Sequence, residues 1–492
     1  MTAPVVLSGC VSAPVAQAQA PTEVAAERFP AERTVPGTGT FGGEELAYTA
    51  AFEWFDIAGT ADLPGARLAS VSYVADKLAG EAERPVLFAF NGGPISPSLY
   101  LHMGALGPMR VSAPDDLSAP AEDFRLVGNP GMPLDVADVV FFDPASTGFS
   151  RVEEGGDPRA YYSVEADAAQ FVSFVKAWLK RHDRTGSPVF ILGESYGTMR
   201  AAEAAGQLAE AGMAPAGVHL MGQAVNIIEY AQRQQNIISF VVSMPTLAAM
   251  GWVQDKVDRK GRDFDTFVAD AKAFGETGYL LALFQGNELP AEQASKIAES
   301  LEEYTGIPAA WYLDNRLRIT KEQYRVELLK DEGKVLGRSD GRYVGTDPGR
   351  DPSGVLESVY VSSWADYMDQ TFGIEVDDTY ALNAPVNGLD DWGWGASSPF
   401  GHFDYSARLK KAFDANPDFR LVVGNGYQDT MTTVGAADYL VKQSDWPADR
   451  VKLAYYPGGH MAYSVDSSAE AFGNDVRDWI TGSGDWATPP GE

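Results

Sequence analysis

The chain of 492 residues has one cysteine, Cys10, so it cannot form an internal disulfide bond. Basic residues are few: 38 Lys and Arg against 68 Asp and Glu give a formal net charge of −30. Such a surface repels nucleic acids and anionic lipid headgroups, so we predict no nucleic-acid partner. No run of 18 apolar residues occurs, so no transmembrane segment is predicted. The 45% hydrophobic residues indicate a globular protein with a sizeable core.

The first 40 residues are rich in Ala, Pro and Thr and lack periodicity, which predicts a disordered leader and linker. Val5–Cys10 resembles the end of a bacterial lipoprotein signal, so Cys10 is a candidate lipid anchor. Ala16–Ala20 resembles a signal-peptidase site. We interpret the segment as an export remnant and expect a periplasmic or secreted protein of the bacterial cell envelope. If the segment is not an export signal, the location is cytoplasmic.

Short apolar runs that end at glycines or polar loops predict buried strands. Alternating patterns at Leu46–Phe55 and Ala66–Val74 predict two antiparallel strands ahead of them. A stripe of apolar residues from Val164 to Trp178, with Ser163 as its N-cap, predicts a helix that packs on the sheet. Strands alternating with helices predict a mostly parallel α/β sheet. The buried runs are Pro85–Phe90, Val136–Phe142, Ser187–Leu192, Gly217–Gly222, Phe419–Val423 and Val451–Tyr456.

From residue 229 to 390 this rhythm stops and helical patterns dominate. We therefore predict a largely helical insertion at 229–390 that divides an α/β core into residues 41–228 and 391–492. A final helix at Ala469–Ile480 is expected to close the core. The helical patterns in and next to the insertion lie at Ile227–Met244, Phe264–Glu276, Ala291–Tyr304 and Lys321–Leu329.

The pentapeptide Gly193–Gly197 reads Gly-Glu-Ser-Tyr-Gly and separates a predicted strand from the helix-forming stretch Thr198–Gly206. In this context the pattern Gly-x-Ser-x-Gly predicts a nucleophile elbow, a strained turn that lifts a serine above the edge of the sheet. Ser195 is therefore the candidate nucleophile. The alternative is an ordinary turn whose serine caps the helix.

A serine nucleophile needs a base, and the base needs an orienting acid. His460 follows the strand Val451–Tyr456, and Asp429 follows the strand before it, at the ends where α/β sheets place their sites. The order Ser, Asp, His along the chain is that of α/β-hydrolases. For each residue taken alone, a surface loop histidine and an Asx-turn aspartate remain the alternatives. The other histidines do not have this position: His102 and His402 lack strand ends, His182 is predicted to be solvated, and His219 is predicted to lie in the core.

The oxyanion of such a reaction needs backbone N–H donors that point at one place. Tyr196, the residue after the nucleophile, supplies one donor. Gly93 in the segment Asn91-Gly-Gly-Pro94 is the candidate for the second. Gly92 and Gly93 together allow the backbone to approach a substrate closely, although a plain turn is the alternative.

Taken together, these motifs resemble the serine carboxypeptidase family over about residues 85 to 465. The resemblance implies an α/β-hydrolase fold, with a mostly parallel central sheet and a helical lid over the active site. The motifs are Phe90–Pro94, Gly107-Pro108, Phe142–Ser150, Gly193–Gly197, Gly426–Asp429 and Gly459–Met461.

The family implies that Ser195 is the nucleophile, His460 the base and Asp429 its orienting acid, with no metal or cofactor. It also implies that Asn91, Gly92 and Glu194 bind the C-terminal carboxylate of a peptide, which a carboxyl side chain can do only when protonated. The second acid that relatives place two residues before Gly107-Pro108 is here Ala105. We therefore expect a peptide pH profile that is less acidic than in relatives.

The resulting hypothesis is a serine-type carboxypeptidase that hydrolyses the C-terminal peptide bond through an acyl-enzyme intermediate. The first alternative is an esterase, amidase or acyltransferase of the same fold that acts on a small acyl substrate. The second alternative is a non-catalytic binding protein. The sequence leaves the oligomeric state open.

Overall fold

The computed structural model describes residues 29–76, 83–114, 116–383, 389–395 and 404–484. The candidate lipid anchor at Cys10, the candidate signal-peptidase site at Ala16–Ala20 and His402 lie outside these residues. The predictions made for them therefore stay predictions.

A ten-stranded mixed sheet forms the centre of the molecule. Its first strands are antiparallel neighbours, as the alternating patterns predict. From Asp138–Phe142 onward, all neighbouring strands run parallel. In spatial order the strands are Arg33–Phe41, Glu44–Ile57, Ala66–Ala75, Asp138–Phe142, Val86–Phe90, Val189–Glu194, Gly217–Met221, Arg420–Gly426 and Val451–Tyr456, with Arg151–Val152 paired to Ala66–Ala75.

The strand Val189–Glu194, here called the elbow strand, lies between Val86–Phe90 and Gly217–Met221 and is parallel to both. It leads into the helix Gly197–Glu210, the elbow helix. Because the carboxyl ends of parallel strands share one edge of a sheet, the loops that follow these strands meet there. The α/β-hydrolase fold expected from the sequence is therefore confirmed.

Alternate side chains of the strands enter two separate cores, because successive residues of a strand face opposite sides of a sheet. Val86, Phe88 and Phe90 face a core shared with the helix Val164–Arg181 and the elbow helix. Leu87 and Ala89 face the other core, which is completed by Val355–Phe372 and Asp466–Thr481. Both faces of the sheet are thus covered by helices.

The first part of the predicted insertion has a hydrophobic core of its own, which runs from Phe240 to Leu336. The last long helix of the predicted insertion, Val355–Phe372, departs from the predicted bounds. Its Trp364, Tyr367 and Met368 pack in the main core beneath the sheet, so this helix belongs to the α/β core.

Two further predictions need correction. Residues 33–40, predicted as linker, belong to the edge strand Arg33–Phe41, which pairs with Glu44–Ile57. Its one proline and two glycines hide the strand pattern, but an edge strand tolerates them. The single helix predicted at Ile227–Met244 is instead Ile227–Tyr230 and Ile238–Val241, separated by a polar stretch and followed by Met244–Val253.

The remaining α-helices are Leu99–Leu101, Phe264–Phe274, Leu280–Gln285, Ala291–Thr305, Ala309–Asp314, Lys321–Glu327, Tyr405–Ala415 and Val434–Gln443. Two π-helical turns lie at His102–Leu106 and Gly275–Tyr279. Short 3-10 turns lie at Ala121–Asp123, Pro133–Asp135, Pro158–Tyr161, Gly286–Glu288, Lys330–Glu332, Pro352–Gly354, Leu389–Asp391, Ala448–Arg450 and Ala462–Ser464. Small hairpins pair Met109–Ser112 with Arg125–Gly128, and Val335–Leu336 with Val344–Gly345. Within the described ranges, no helix combines the length and apolar character needed to cross a bilayer.

Candidate active site

Ser195 lies on a strained turn between the elbow strand and the elbow helix. Its φ of 59° falls in the left-handed region, which is costly for a residue with a side chain. A Cβ atom on Gly193 would lie 2.3 Å from the Gly197 oxygen, and one on Gly197 would lie 2.9 Å from the Asn91 oxygen. Ser195 is partly exposed, whereas its four neighbours in the pentapeptide are buried. The two glycines therefore allow the tight turn that presents the serine.

The imidazole of His460 is held by a buried carboxylate. Its Nδ1 lies 2.7 Å from Oδ2 of Asp429, which is fully buried. Oδ1 of Asp429 accepts backbone hydrogen bonds from Met431 at 2.7 Å and Thr432 at 3.1 Å, and the Thr432 hydroxyl donates to Oδ2. The carboxylate is thus fixed from three sides, and it faces His460 with one oxygen.

Ser195 and His460 line the same cavity, whose volume is about 230 Å³. Asp429 lies behind the imidazole. Tyr196 does not line the cavity either, so its expected contribution to the site is its backbone amide. Larger described cavities of about 640, 520 and 460 Å³ contain none of the predicted site residues. The predicted residues that line the small cavity are Asn91, Gly92, Gly93, Glu194, Ser195 and His460.

The glycine-rich loop after Val86–Phe90 lies directly against the elbow. A Cβ atom on Gly92 would lie 2.6 Å from the Tyr196 nitrogen, so only glycine fits at this position. Gly93 has a φ of 114°, which also favours glycine. Among the hydrogen bonds of the described residues, neither the Gly93 nor the Tyr196 amide has a protein acceptor. Both donors are therefore free to bind a substrate oxygen.

A buried ion pair beneath the elbow was not predicted from the sequence. Nε of Arg200 lies 2.8 Å from Oδ2 of Asp167, and both side chains are fully buried. The Tyr196 hydroxyl donates to the same oxygen at 2.9 Å, while Nη1 of Arg200 donates to the Asn91 carbonyl at 2.9 Å. This network fixes the glycine-rich loop relative to the elbow. The available signal was an arginine within the alanine-rich, helix-forming stretch Thr198–Gly206.

Glu194, the residue before the nucleophile, is a buried carboxyl group that borders the cavity. Its Oε1 accepts a hydrogen bond from Nδ2 of Asn91 at 3.0 Å, and its Oε2 accepts one from the Tyr463 hydroxyl. Burial raises the pKa of Glu194 to about 7, against the opposing effects of His460 and the two donors. Glu194 is therefore protonated over the acidic range.

A second carboxyl group, Glu357 on the helix Val355–Phe372, also lines the cavity and was not predicted. The residue is solvent-exposed, but the protein around it, together with Asp351, raises its pKa. Burial alone would lower the pKa of His460, but Asp429, Glu194 and Glu357 raise it to about 9. The negative charges around the imidazole therefore favour its protonated form.

Three of the histidines that the sequence set aside, His102, His182 and His219, do not line the cavity. His102 is buried, with Nε2 2.6 Å from the Tyr73 hydroxyl, and His219 is buried in the sheet as predicted. His182 differs from the prediction of a solvated side chain. It stacks on Trp178 at 4.2 Å, and its Nε2 lies 2.8 Å from Oε2 of Glu53.

In the part of the chain that the structure describes, no group of three or more His, Cys, Asp or Glu side chains could hold a metal ion. The arrangement suits acyl-transfer chemistry: a serine on an elbow, an imidazole with its carboxylate, and two backbone amides without protein acceptors. Fold and site together define the protein as a serine hydrolase of the α/β-hydrolase class.

Residues 73–270 match the family model of serine carboxypeptidases. The matched segment contains Asn91 and Ser195 but ends before Asp429 and His460. The resemblance inferred from the sequence is thereby confirmed over this segment, and it supports a serine-type enzyme similar to the serine carboxypeptidases.

Several solved structures are similar to this chain. One is a prohormone-processing carboxypeptidase from Saccharomyces cerevisiae, with 13% identity, 87% of this chain and 93% of that chain covered, and a TM-score of 0.49. A proline iminopeptidase from Mycobacterium smegmatis has 13% identity, with 87% and 98% covered and a TM-score of 0.36. A thermostable carboxyl esterase from Bacillus coagulans has 13% identity, with 88% and 98% covered and a TM-score of 0.38. At this level of similarity, none of them defines a substrate.

Proposed function

We propose that the protein is a serine-type carboxypeptidase that hydrolyses the C-terminal peptide bond of peptides through an acyl-enzyme intermediate. Ser195 is the nucleophile, His460 the general base and Asp429 the acid that orients it. The observation that carries the proposal is the 2.7 Å contact between His460 Nδ1 and Asp429 Oδ2, beside a cavity shared with Ser195. With Nδ1 engaged, Nε2 is the nitrogen left to accept the serine proton.

In the first step, the Ser195 oxygen attacks the carbonyl carbon of the scissile bond while His460, in its neutral form, takes the hydroxyl proton. Because the surrounding carboxylates raise the pKa of His460 to about 9, this neutral form becomes more populated as the pH rises. The carbonyl oxygen becomes an oxyanion, which the amides of Gly93 and Tyr196 stabilise. When the tetrahedral intermediate collapses, His460 gives its proton to the leaving amine and the acyl group stays on Ser195. Water, activated by the same imidazole, then releases the acid.

The proposed site for the C-terminal carboxylate is formed by Asn91, Gly92 and Glu194. Lys and Arg are absent from the described residues that line the cavity, so an incoming carboxylate meets no Lys or Arg side chain there. It would bind instead to amide groups and to the carboxyl group of Glu194, which is a donor when protonated. Because Glu194 adjoins Ser195 in the chain, this site lies beside the reacting bond.

Two assays test the proposal. A fluorophosphonate probe should label the native protein, and labelling should be lost in Ser195→Ala. Blocked dipeptides with a free C-terminus should be cleaved at least tenfold faster than the matched amides. Equal cleavage of the free acid and the amide would contradict the carboxypeptidase assignment while leaving a serine hydrolase.

Export to the bacterial cell envelope, with lipidation of Cys10 as one route, remains part of the proposal. Cell fractionation of the native protein and of Cys10→Ser tests it, because loss of the lipid should move the protein from the membrane fraction to the soluble fraction. Recovery of the native full-length protein in the cytoplasm would contradict it.

A further inference from the structure

Relatives carry a second acid at the position of Ala105, and here a tyrosine from a distant part of the chain packs beside that position. Ala105 lies in the buried π-helical turn His102–Leu106. The space beside this turn is taken by the ring of Tyr463: a Cβ atom on Gly104 would lie 2.2 Å from a Tyr463 ring carbon. The small residues of the turn therefore make room for an aromatic ring that arrives from a different part of the chain.

Tyr463 reaches Glu194 from the same loop that carries the catalytic histidine. It lies in the turn Ala462–Ser464, three residues after His460, and is completely buried. Its hydroxyl donates to Oε2 of Glu194, while Nδ2 of Asn91 donates to Oε1 at 3.0 Å. Each oxygen of the carboxyl group thus has one protein donor.

We propose that Tyr463 is a positioning residue that replaces the missing second acid, because its hydroxyl holds Glu194 in place for the terminal carboxylate of the substrate. This inference rests on the proposed function, in which Glu194 binds that carboxylate. A phenol and a carboxyl group differ in one important respect: the phenol keeps its proton throughout the working pH range. Burial and the nearby Glu194 raise the pKa of Tyr463 well above its usual value.

The replacement leaves one titrating carboxyl group in direct contact with the substrate carboxylate. A donor to the ionised form of a carboxyl group lowers its pKa, so loss of the Tyr463 hydroxyl should raise the pKa of Glu194. A hydrogen bond to a charged group corresponds to about one pKa unit. The other titratable groups around Glu194 and its cavity are His460, Asp429, Tyr100, Tyr360 and Glu357.

The test is Tyr463→Phe, which removes the hydroxyl and keeps the ring against Gly104. In the native enzyme, KM for a blocked dipeptide with a free C-terminus should rise as Glu194 ionises near pH 7. In Tyr463→Phe the midpoint of that rise should move up by about one pH unit. Circular dichroism of Tyr463→Phe shows whether the variant is folded.

Tyr360→Phe is the matched control. Tyr360 is buried beside the same turn, but its hydroxyl has no hydrogen-bond partner among the described residues. Its loss should leave the KM midpoint in place. If Tyr463 had only a structural role, its variant would melt earlier without a shift of the midpoint, and that result would overturn the inference.

A second readout does not depend on peptide cleavage. Infrared difference spectra, with the Glu194 carboxyl band assigned by Glu194→Gln, give the ionisation of Glu194 directly. An upward shift in Tyr463→Phe supports the inference, and an unmoved titration overturns it. A native enzyme that cleaves free acids and amides equally would instead remove the proposed function on which the role of Tyr463 rests.

Discussion

The substitution Asp429→Asn tests whether Asp429 orients His460 for catalysis. The hydrogen bonds around Asp429 determine how an amide group would be oriented at this position. Oδ1 accepts two backbone N–H groups, from Met431 and Thr432, so the amide oxygen should take its place. The NH₂ group would then occupy the place of Oδ2, 2.7 Å from Nδ1 of His460. A donor at that position needs an acceptor, so the imidazole proton would move from Nδ1 to Nε2.

An imidazole with its proton on Nε2 cannot accept the proton of Ser195. A wrong tautomer of this kind reduces kcat by about 10⁴-fold in serine hydrolases, or roughly 5 kcal/mol at about 1.4 kcal/mol per factor of ten. We expect this loss in both ester and peptide hydrolysis. Labelling by a fluorophosphonate should slow as well, since it needs the same activated hydroxyl.

The assay is a comparison of kcat for the native enzyme and the variant on a methyl ester, with circular dichroism to confirm folding. Asp438→Asn is the matched control: Asp438 is also a buried aspartate, but it pairs with Lys272 rather than a histidine. It should keep kcat within about threefold, since it touches no reacting atom. A loss of less than tenfold in Asp429→Asn would refute the orienting role of Asp429.

Three further results are expected. Arg200→Met should lower the free energy of unfolding by about 3–5 kcal/mol, because it leaves a buried carboxylate without its cation. Changing Arg159 in the same way should have a far smaller effect, because its ion pair with Asp157 is exposed to solvent. Urea unfolding measures both variants, and equal losses would contradict the role of burial. Glu194→Gln should abolish the rise of KM near pH 7 for dipeptides with a free C-terminus, because the neutral amide neither loses a proton nor repels a carboxylate. A native-like pH profile of KM in this variant would show that the ionisation of another group causes the rise. Gly92→Ala should lower kcat by roughly 10²-fold, because the added methyl group would push against the Tyr196 amide that is proposed to bind the oxyanion. Stopped-flow measurement of the acylation rate would detect this loss, and an unchanged rate would mean that the oxyanion binds elsewhere.

The elements that the sequence predicts well are those with a strong local signature. The elbow is one, because a buried strand, two glycines around Ser195 and a helix follow one another without interruption. The strand Val451–Tyr456 is found with its predicted bounds, since its apolar run ends directly at a glycine-rich loop. The positions of Asp429 and His460 after strands also follow from chain order.

Contacts between distant parts of the chain could not be predicted in the same way. Tyr463 and Glu194 are 269 positions apart, and nothing local marks the tyrosine as a partner of the glutamate. Glu357 reads as an ordinary polar residue on a helix, yet the helix packs so that its first turn borders the cavity. The edge strand Arg33–Phe41 escaped prediction because its residues carry no apolar run, and its pairing with Glu44–Ile57 defines it.

The loop at residues 338–341 lies in the predicted insertion. It is hydrogen-bonded to the two core loops that carry Asp429 and His460. The Ser339 carbonyl accepts the His460 amide at 2.6 Å, the Arg338 carbonyl accepts the Thr430 hydroxyl at 2.7 Å, and the Gly341 amide donates to Gln428 at 2.9 Å. This segment, which contributes Ser339 to the wall of the cavity, is therefore held by hydrogen bonds to the two loops that carry His460 and Asp429. A redesigned segment with a different side-chain preference would have to keep these three hydrogen bonds. Without them, His460 and Asp429 would lose their alignment for proton transfer.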